Sequence, residues 1–263
     1  MTTLAIVGVG NMGGAILDGL LAQGWPAGDL RTVDQVSERC REERGVARGD
    51  LADMVTDVDA LLVAVKPQGV PELLTQAAGH LRPDTVVISI AAGVSTAALE
   101  AALGTTNPVV RVMPNTPAQV GQGVSVLSAG THASDEHLEL VTAICSAVGE
   151  VEVMPESLQD AATGVSGSGP AYVFAMIDAM IEAGVQQGLP RPAATRMVVQ
   201  TVRGAATMVA DGGHPAVLRE QVSSPGGTTV QGLRALDRGG MRAAIADAVA
   251  ASTRRSAELG KSE

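Results

Sequence analysis

The residues LAIVGVGNMG, positions 4–13, decide the fold of this chain. Leu4 to Val7 is a short apolar, partly β-branched run, and it gives way at once to Gly8, Gly10 and Gly13. Ala15, Ile16, Gly19 and Leu20 then recur at helical spacing. Strand, glycine turn and helix in that order is the context in which a GxGxxG pattern carries meaning. The first glycine allows the tight turn, the second lets a pyrophosphate approach the backbone, and the third lets the helix pack close to the sheet. The stretch predicts a dinucleotide-binding turn held by Gly8, Gly10, Asn11, Met12 and Gly13; the alternative is a purely structural glycine turn.

Downstream, a second apolar run at 30–33 ends in Asp34, at the distance where an acid bonds the ribose hydroxyls of a dinucleotide. A carboxylate there disfavours a 2′-phosphate. Gln35 follows it rather than an arginine, although Arg31 and Arg39 are near in sequence. The bland alternative is a solvated aspartate at a strand end. Further strand-like runs at 60–65, 85–90 and 109–112 alternate with helical patterns at 72–81 and 96–103, which predicts a parallel, doubly wound α/β sheet. Runs at 123–128 and 150–153, with a helix at 135–148 between them, would finish the sheet. Functional loops are then expected at the carboxyl ends of the strands, where the chain reads Lys66-Pro67-Gln68, Ala91-Ala92-Gly93 and Met113-Pro114-Asn115-Thr116-Pro117. Each could wall the nicotinamide half of a cofactor. Lys66 reads as a solvated or phosphate-facing charge rather than a catalytic group.

After Pro155 no strand-like run follows, and long helical patterns take over. Val173, Met176, Ile177, Met180 and Ile181 form an apolar stripe, and further helices are expected from Pro192, from Pro215 and over 241–259. The expected organisation is therefore an N-terminal domain at 1–154 and an all-α domain at 155–263. These helices are rich in Ala and Gly, and a second copy of the chain is expected against them, the alternative being an intrachain core. Between two of them lies SSPGGTT, positions 223–229. Its proline stops a helix, its glycines expose backbone N–H groups, and a helical pattern follows, so it can form a helix N-terminus that grips an anion. A turn with an N-cap threonine is the plain alternative.

Composition bounds the function. The chain has 263 residues and a formal net charge of −10, which argues against a nucleic-acid partner and against an anionic membrane surface. Only one Trp, one Tyr and one Phe occur, so the core is built from aliphatic residues and Met. Cys40 and Cys145 stand in no CxxC or zinc spacing, which predicts free thiols in a reducing cytoplasm. His132 and His137 have no metal-ligand spacing and no partner to complete a site, so no metal is expected. The first apolar run is only a strand long and no basic region precedes it; neither a signal peptide nor a transmembrane helix is expected.

TGVSGSGPAY at 163–172 and PAVLREQVSSPGGTTVQGLRAL at 215–236 resemble the signature of the Δ1-pyrroline-5-carboxylate reductases, and GVGNMG at 8–13, AVKP at 64–67, AAGV at 91–94 and MPNTP at 113–117 agree with that family. The resemblance spans essentially the whole chain in order. It implies a Rossmann-like domain followed by an all-helical dimerisation domain, with dimers forming rings in some members. It implies NADPH- or NADH-dependent reduction of the cyclic imine to L-proline, the last step of proline biosynthesis. By position, Ser224, Gly226, Gly227, Thr228 and Thr229 would hold the substrate carboxylate, with Thr229 nearest the ring as the catalytic hydroxyl. Gly8, Asn11, Met12, Lys66, Pro67, Ala92 and Asn115 would line the cofactor. Members preferring NADPH often carry small, hydroxylated or basic residues after the second strand. Asp34-Gln35 departs from that, so the resemblance does not extend the preference to this chain.

The chemistry is consistent with what the chain lacks. Alcohol dehydrogenases need a group to move the hydroxyl proton, and the second half offers no good candidate; His214, in a Gly-Gly-His-Pro turn, reads as structural. A cyclic imine can arrive protonated and accept hydride directly at carbon, so orientation suffices. The β-hydroxyacid dehydrogenases carry GxxGxGxxxK with a catalytic lysine. Gly164, Gly167 and Gly169 match that spacing, but the lysine position is Val173, which cannot transfer a proton. Ser166, Ser168 and Tyr172 remain as polar groups for orienting a ring or water, with a core role for Tyr172 equally open. Reduction of a related imine such as a piperideine carboxylate is the alternative activity, since one methylene alters binding by only ~1–3 kcal/mol. A dinucleotide-sensing protein without catalysis is the alternative class.

Overall fold

The structure is a computed structural model that describes residues 2–260. The chain forms two compact units, one running to Ser168 and including the residues from Ala251 onward, the other Gly169–Ala250.

The first unit is built on a sheet of eight strands in the order β3-β2-β1-β4-β5-β6-β7-β8. β1 (Leu4–Val7) lies within it with every residue buried, and α1 (Asn11–Ala22) returns the chain to β2 (Leu30–Val33). The edge strand β3 (Ala47–Arg48) and the short helix α2 (Leu51–Val55) precede β4 (Ala60–Val63), which pairs with the other side of β1. The chain then alternates α3 (Val70–Ala78), β5 (Val86–Ser89), α4 (Thr96–Leu103) and β6 (Val109–Met113). All pairings from β3 to β6 are parallel. Successive side chains of a strand face opposite sides, and two cores result. Leu4, Ile6 and Leu62 pack with Ile16, Leu17 and Leu20 of α1 on one face, while Ala5, Val7, Leu61 and Val63 pack with Leu74 and Leu99 on the other.

The sheet is not parallel throughout. β7 (Gly123–Ala129) runs antiparallel to β6, and β8 (Gly149–Val153) pairs parallel to β7, so the last two strands run opposite to the rest. The connection at 114–122 holds only a 3-10 turn, Thr116–Val120, too short for the crossover helix that a parallel return needs. Helix α5 (Asp135–Cys145) links β7 to β8 and is capped by Ser134 with His137, whose Nδ1 accepts from the Ser134 N–H at 2.9 Å. The edge strand β3 has no counterpart among the strand-like runs of the sequence, because two exposed residues carry no periodicity.

After β8 come α6 (Gln159–Ala162) and a π-helical turn, Thr163–Gly167. Both stay with the sheet. The Nε2 of buried Gln159 donates to the Val126 carbonyl at 3.1 Å, and the Nδ2 of Asn115 donates to the Ser166 carbonyl at 3.1 Å. The compact units therefore divide later than residue 154, where the strands end, and the last turns of the C-terminal helix also join the first unit.

The second unit is helical: α7 (Gly169–Gln186), α8 (Arg191–Ala210), α9 (Pro215–Gln221), α10 (Thr228–Arg238) and the first part of α11 (Met241–Leu259). Its buried apolar cluster is Ile181, Ala194 and Val198, where α7 meets α8. Phe174, Met197, Met208 and Ile245 are largely exposed. So small a buried cluster leaves apolar side chains of these helices exposed in the single chain, the mark of an interaction surface. Among the described residues, no helix is long and apolar enough to cross a membrane.

Candidate active site

At the carboxyl ends of the parallel strands, β1 lies between β2 and β4, and the chain reverses its direction of winding there, the position where open α/β sheets bind ligands. A cleft of about 1480 Å³ opens at this point. Its lining includes Gly8, Gly10, Asn11 and Met12 after β1, Asp34 and Gln35 after β2, Lys66 and Pro67 after β4, and Ala91 and Ala92 after β5.

The glycine turn is built as a cradle. Gly8 has φ +93, and a Cβ on it would lie 2.6 Å from the Ala64 carbonyl oxygen. A methyl placed on Gly10 would meet no atom within 4 Å, so its face is open to the cleft. A Cβ on Gly13 would overlap the Gly8 carbonyl oxygen and lie 3.1 Å from the Ala64 methyl, so this glycine is the close helix-to-strand contact. Helix α1 begins on Gly10 with no side-chain cap, leaving its first-turn N–H groups for an anion. Open glycine backbone, an uncapped helix start and an acid at the end of β2 fit a dinucleotide.

Asp34 is held on both sides. Its Oδ2 accepts from the Val9 N–H at 2.6 Å, and its Oδ1 accepts from the Val36 N–H at 2.8 Å. Arg39 Nη1 is 3.9 Å from Oδ1. Arg31, by contrast, points its guanidinium at the Thr56 carbonyl, 2.5 Å away. Arg48, Asp50, Asp53 and Glu72 also line the cleft, and nothing in the sequence singles them out. Arg48 ends the tiny strand β3 and the three acids stand at the starts of short helices, where neither period nor motif marks them.

Two expected cofactor residues lie off this lining. Gly13 is buried beneath it in the packing role described above. Asn115 is 9% exposed and its amide is engaged at both ends, with Nδ2 on Ser166 O and Oδ1 accepting from the Val124 N–H at 2.9 Å. Its place in the structure is a clasp between the loop after β6 and the π-helical turn. In that turn Ser166 Oγ donates back to the Ala162 carbonyl at 2.9 Å, and Ser168 Oγ lies 2.7 Å from Ser252 Oγ. These hydroxyls are engaged within the protein. Tyr172 OH donates to the Ala248 carbonyl at 3.4 Å, a long contact between α7 and α11.

In the second unit, SSPGGTT forms a tight turn into α10. The Gly227 N–H donates to the Ser224 carbonyl at 2.9 Å, and Gly226 has φ +73. The cap of α10 is Gly227, without a side-chain hydrogen bond, rather than a threonine. Ser224 and Thr228 are exposed, and Thr229, in the first turn of α10, is half-buried. His214 Nδ1 accepts from the Ala216 N–H at 3.3 Å and so caps α9. Among the described residues, no group of three or more His, Cys, Asp or Glu could hold a metal ion.

A family model described as "NADP oxidoreductase coenzyme F420-dependent" matches residues 3–93, and one described as "Pyrroline-5-carboxylate reductase dimerisation" matches residues 156–259. With the glycine-lined cleft, they define an NAD(P)H-dependent oxidoreductase with a Rossmann-like domain and a helical domain that oligomerises. The pyrroline-5-carboxylate reductase of Corynebacterium melassecola is 42% identical over 99% of this chain and 100% of its own length, and that of Pseudomonas aeruginosa is 41% identical over 97% and 96%. The chain belongs to the pyrroline-5-carboxylate reductase family. A solved reductase from Coxiella burnetii superposes with a TM-score of 0.94 at 33% identity, covering 98% of both chains. The Plasmodium falciparum pyrroline carboxylate reductase, solved with NADP bound, superposes at 0.87 with 29% identity and 98% coverage of both chains. A 3-hydroxyisobutyrate dehydrogenase shares the fold alone, with a TM-score of 0.53 and 16% identity over 72% of this chain and 67% of its own.

Proposed function

We propose that this protein reduces Δ1-pyrroline-5-carboxylate to L-proline with NADH or NADPH, the last step of proline biosynthesis. The observation that carries the reading is an open glycine cradle at the sheet's crossover point in a chain similar to these reductases along nearly its full length. When bound, the reduced nicotinamide supplies a hydride to the imine carbon; the C=N bond becomes C–N, and the nitrogen, protonated on arrival, becomes the secondary amine. Gly8, Gly10, Asn11 and Met12 hold the pyrophosphate, Gly13 keeps the helix start against the sheet, and Lys66, Pro67 and Ala92 flank the nicotinamide half. Asn115 supports that wall from below. Ser224, Gly226, Gly227, Thr228 and Thr229 orient the substrate carboxylate on the uncapped start of α10, with Thr229 at the ring. Positioning and exclusion of water are then the whole of the protein's task.

Residues 1–154 carry the cofactor functions in this reading, and 155–263 carry substrate binding and homodimerisation. Dimers through the helical unit, joined into a larger ring, and a cytoplasmic location belong to the same proposal; the exposed methionines of α7 and α8 support the first. Steady-state oxidation of NADH and NADPH with the five-membered imine and with a six-membered piperideine carboxylate tests the activity. Faster turnover of the five-membered ring is expected. A preference for the six-membered ring would reassign the substrate, and no turnover with either would leave a binding protein.

A further inference from the structure

Asp34 is built into the glycine turn in a way that bears on which dinucleotide the cleft takes. Its side chain is 9% exposed, and each oxygen accepts a backbone N–H: Val9 between Gly8 and Gly10, and Val36 beyond β2. A carboxylate tied at both oxygens cannot swing aside for a bulky neighbour without releasing the turn that faces the pyrophosphate. It is fixed in place at the rim, with spare lone pairs to accept from hydroxyls. The cations at this end already face anions. Arg39 lies 3.9 Å from Asp34 itself, and Arg48 Nη1 lies 3.6 Å from Glu42 Oε1. Asp50, Asp53 and Glu72 add further negative charge along the same lining. A 2′-phosphate would bring about −1.5 to −2 more charge to this rim.

We propose that the adenosine end of the cleft selects an unphosphorylated ribose, so that NADH is the preferred cofactor, with Asp34 the specificity-determining residue and Arg39 its counter-ion. The proposal rests on the dinucleotide reading of the cleft made above. It separates this chain from the Plasmodium falciparum reductase solved with NADP bound.

Calorimetric titration of the full-length protein with ADP-ribose and with 2′-phospho-ADP-ribose tests it without turnover. The unphosphorylated fragment is expected to bind at least about tenfold more tightly, as repulsion at a partly screened rim implies. In Asp34→Ser the ratio is expected to fall to about threefold or less, through tighter binding of the phosphorylated fragment. Asp34→Asn, which keeps the shape and one backbone acceptor, is expected to shift the ratio the same way should the serine variant fold poorly. Equal or tighter binding of the phosphorylated fragment by wild type overturns the proposal, and so does an unchanged ratio in a folded Asp34 variant. A loss of phosphorylated-fragment affinity in Arg39→Ala would show that Arg39 clamps the phosphate, which also overturns it. Failure of both fragments to bind would remove the dinucleotide reading, and this inference with it.

Discussion

The carboxylate of Glu156 accepts from the guanidinium of Arg111 across 3.0 Å, joining the turn after β8 to the middle of β6. The same carboxylate accepts from the Thr96 N–H at 2.7 Å and from the Thr96 hydroxyl at 2.5 Å, so it also fixes the start of α4. Burial pushes the Glu156 carboxyl up, but the bonds from Thr96 and Arg111 outweigh it and hold the group below the ordinary carboxylate range. A carboxylate depressed in the folded state contributes stability that is complete above its unfolded value and is lost as pH falls through the folded one. Glu156→Gln should therefore flatten the acid limb of the stability curve below pH 4.5, the ordinary glutamate value. At neutral pH it should cost about 2–3 kcal/mol, since Arg111 is left buried without its charged partner. Urea unfolding at neutral and acid pH measures both, and an acid limb that parallels wild type would rule out the assigned role.

Gly10 and Gly13 should separate binding from folding. A methyl at Gly13 collides with the Gly8 carbonyl, whereas one at Gly10 meets nothing within 4 Å. Gly13→Ala is expected to lose about 1–3 kcal/mol of stability by overpacking. Gly10→Ala should keep a near-native melting temperature and lose dinucleotide affinity by at least about tenfold, because the methyl occupies the anion's approach. Thermal melts with NADH titrations check the pair.

Asn115 bridges the Val124 N–H and the Ser166 carbonyl. Asn115→Ala removes both bonds and should cost about 1–3 kcal/mol. Hydrogen exchange should rise in the π-helical turn Thr163–Gly167. Unchanged exchange there would mean that the turn holds itself.

Thr229→Ala should raise KM for the imine and lower kcat/KM by about tenfold, with NADH affinity near wild type, if the hydroxyl acts on substrate. Activity equal to wild type would leave Thr229 as an ordinary first-turn residue of α10.

Met197 of α8 is 57% exposed and Phe174 of α7 is 62% exposed in the single chain. A charge at either position would be buried in a dimer without a partner, so Met197→Glu and Phe174→Glu should shift the mass measured by light scattering toward the monomer. A dimer unaffected by both would place the interface on other faces of the helical unit.

Much of the fold is legible in the sequence because its signals are local. The apolar runs of β1, β2, β4, β5 and β6 and the apolar stripe of α7 are periodicities within one segment, and Pro and Gly at the helix ends act through their own backbone. The glycine turn is readable for the same reason: Gly8, Gly10 and Gly13 each do what a missing Cβ permits. The antiparallel turn of β7 is not, because direction depends on the length and packing of the 114–122 connection, and the two exposed residues of β3 have no pattern at all.

Asp34, Asn115 and Gly227 mark the boundary for the site. Residue types and spacing alone give an acid at a strand end, an amide in a proline-rich loop and an uncapped or threonine-capped helix start. Tertiary structure decides that Asp34 is pinned by Val9, that Asn115 faces Ser166 rather than the cleft, and that glycine rather than threonine caps α10. The first two relations join residues 25 and 51 positions apart, and no local period or propensity specifies which donor or acceptor a buried side chain finds across such a distance. The chain's own pattern thus determines that a dinucleotide cradle forms. Long-range hydrogen bonding decides how rigid its charged rim is.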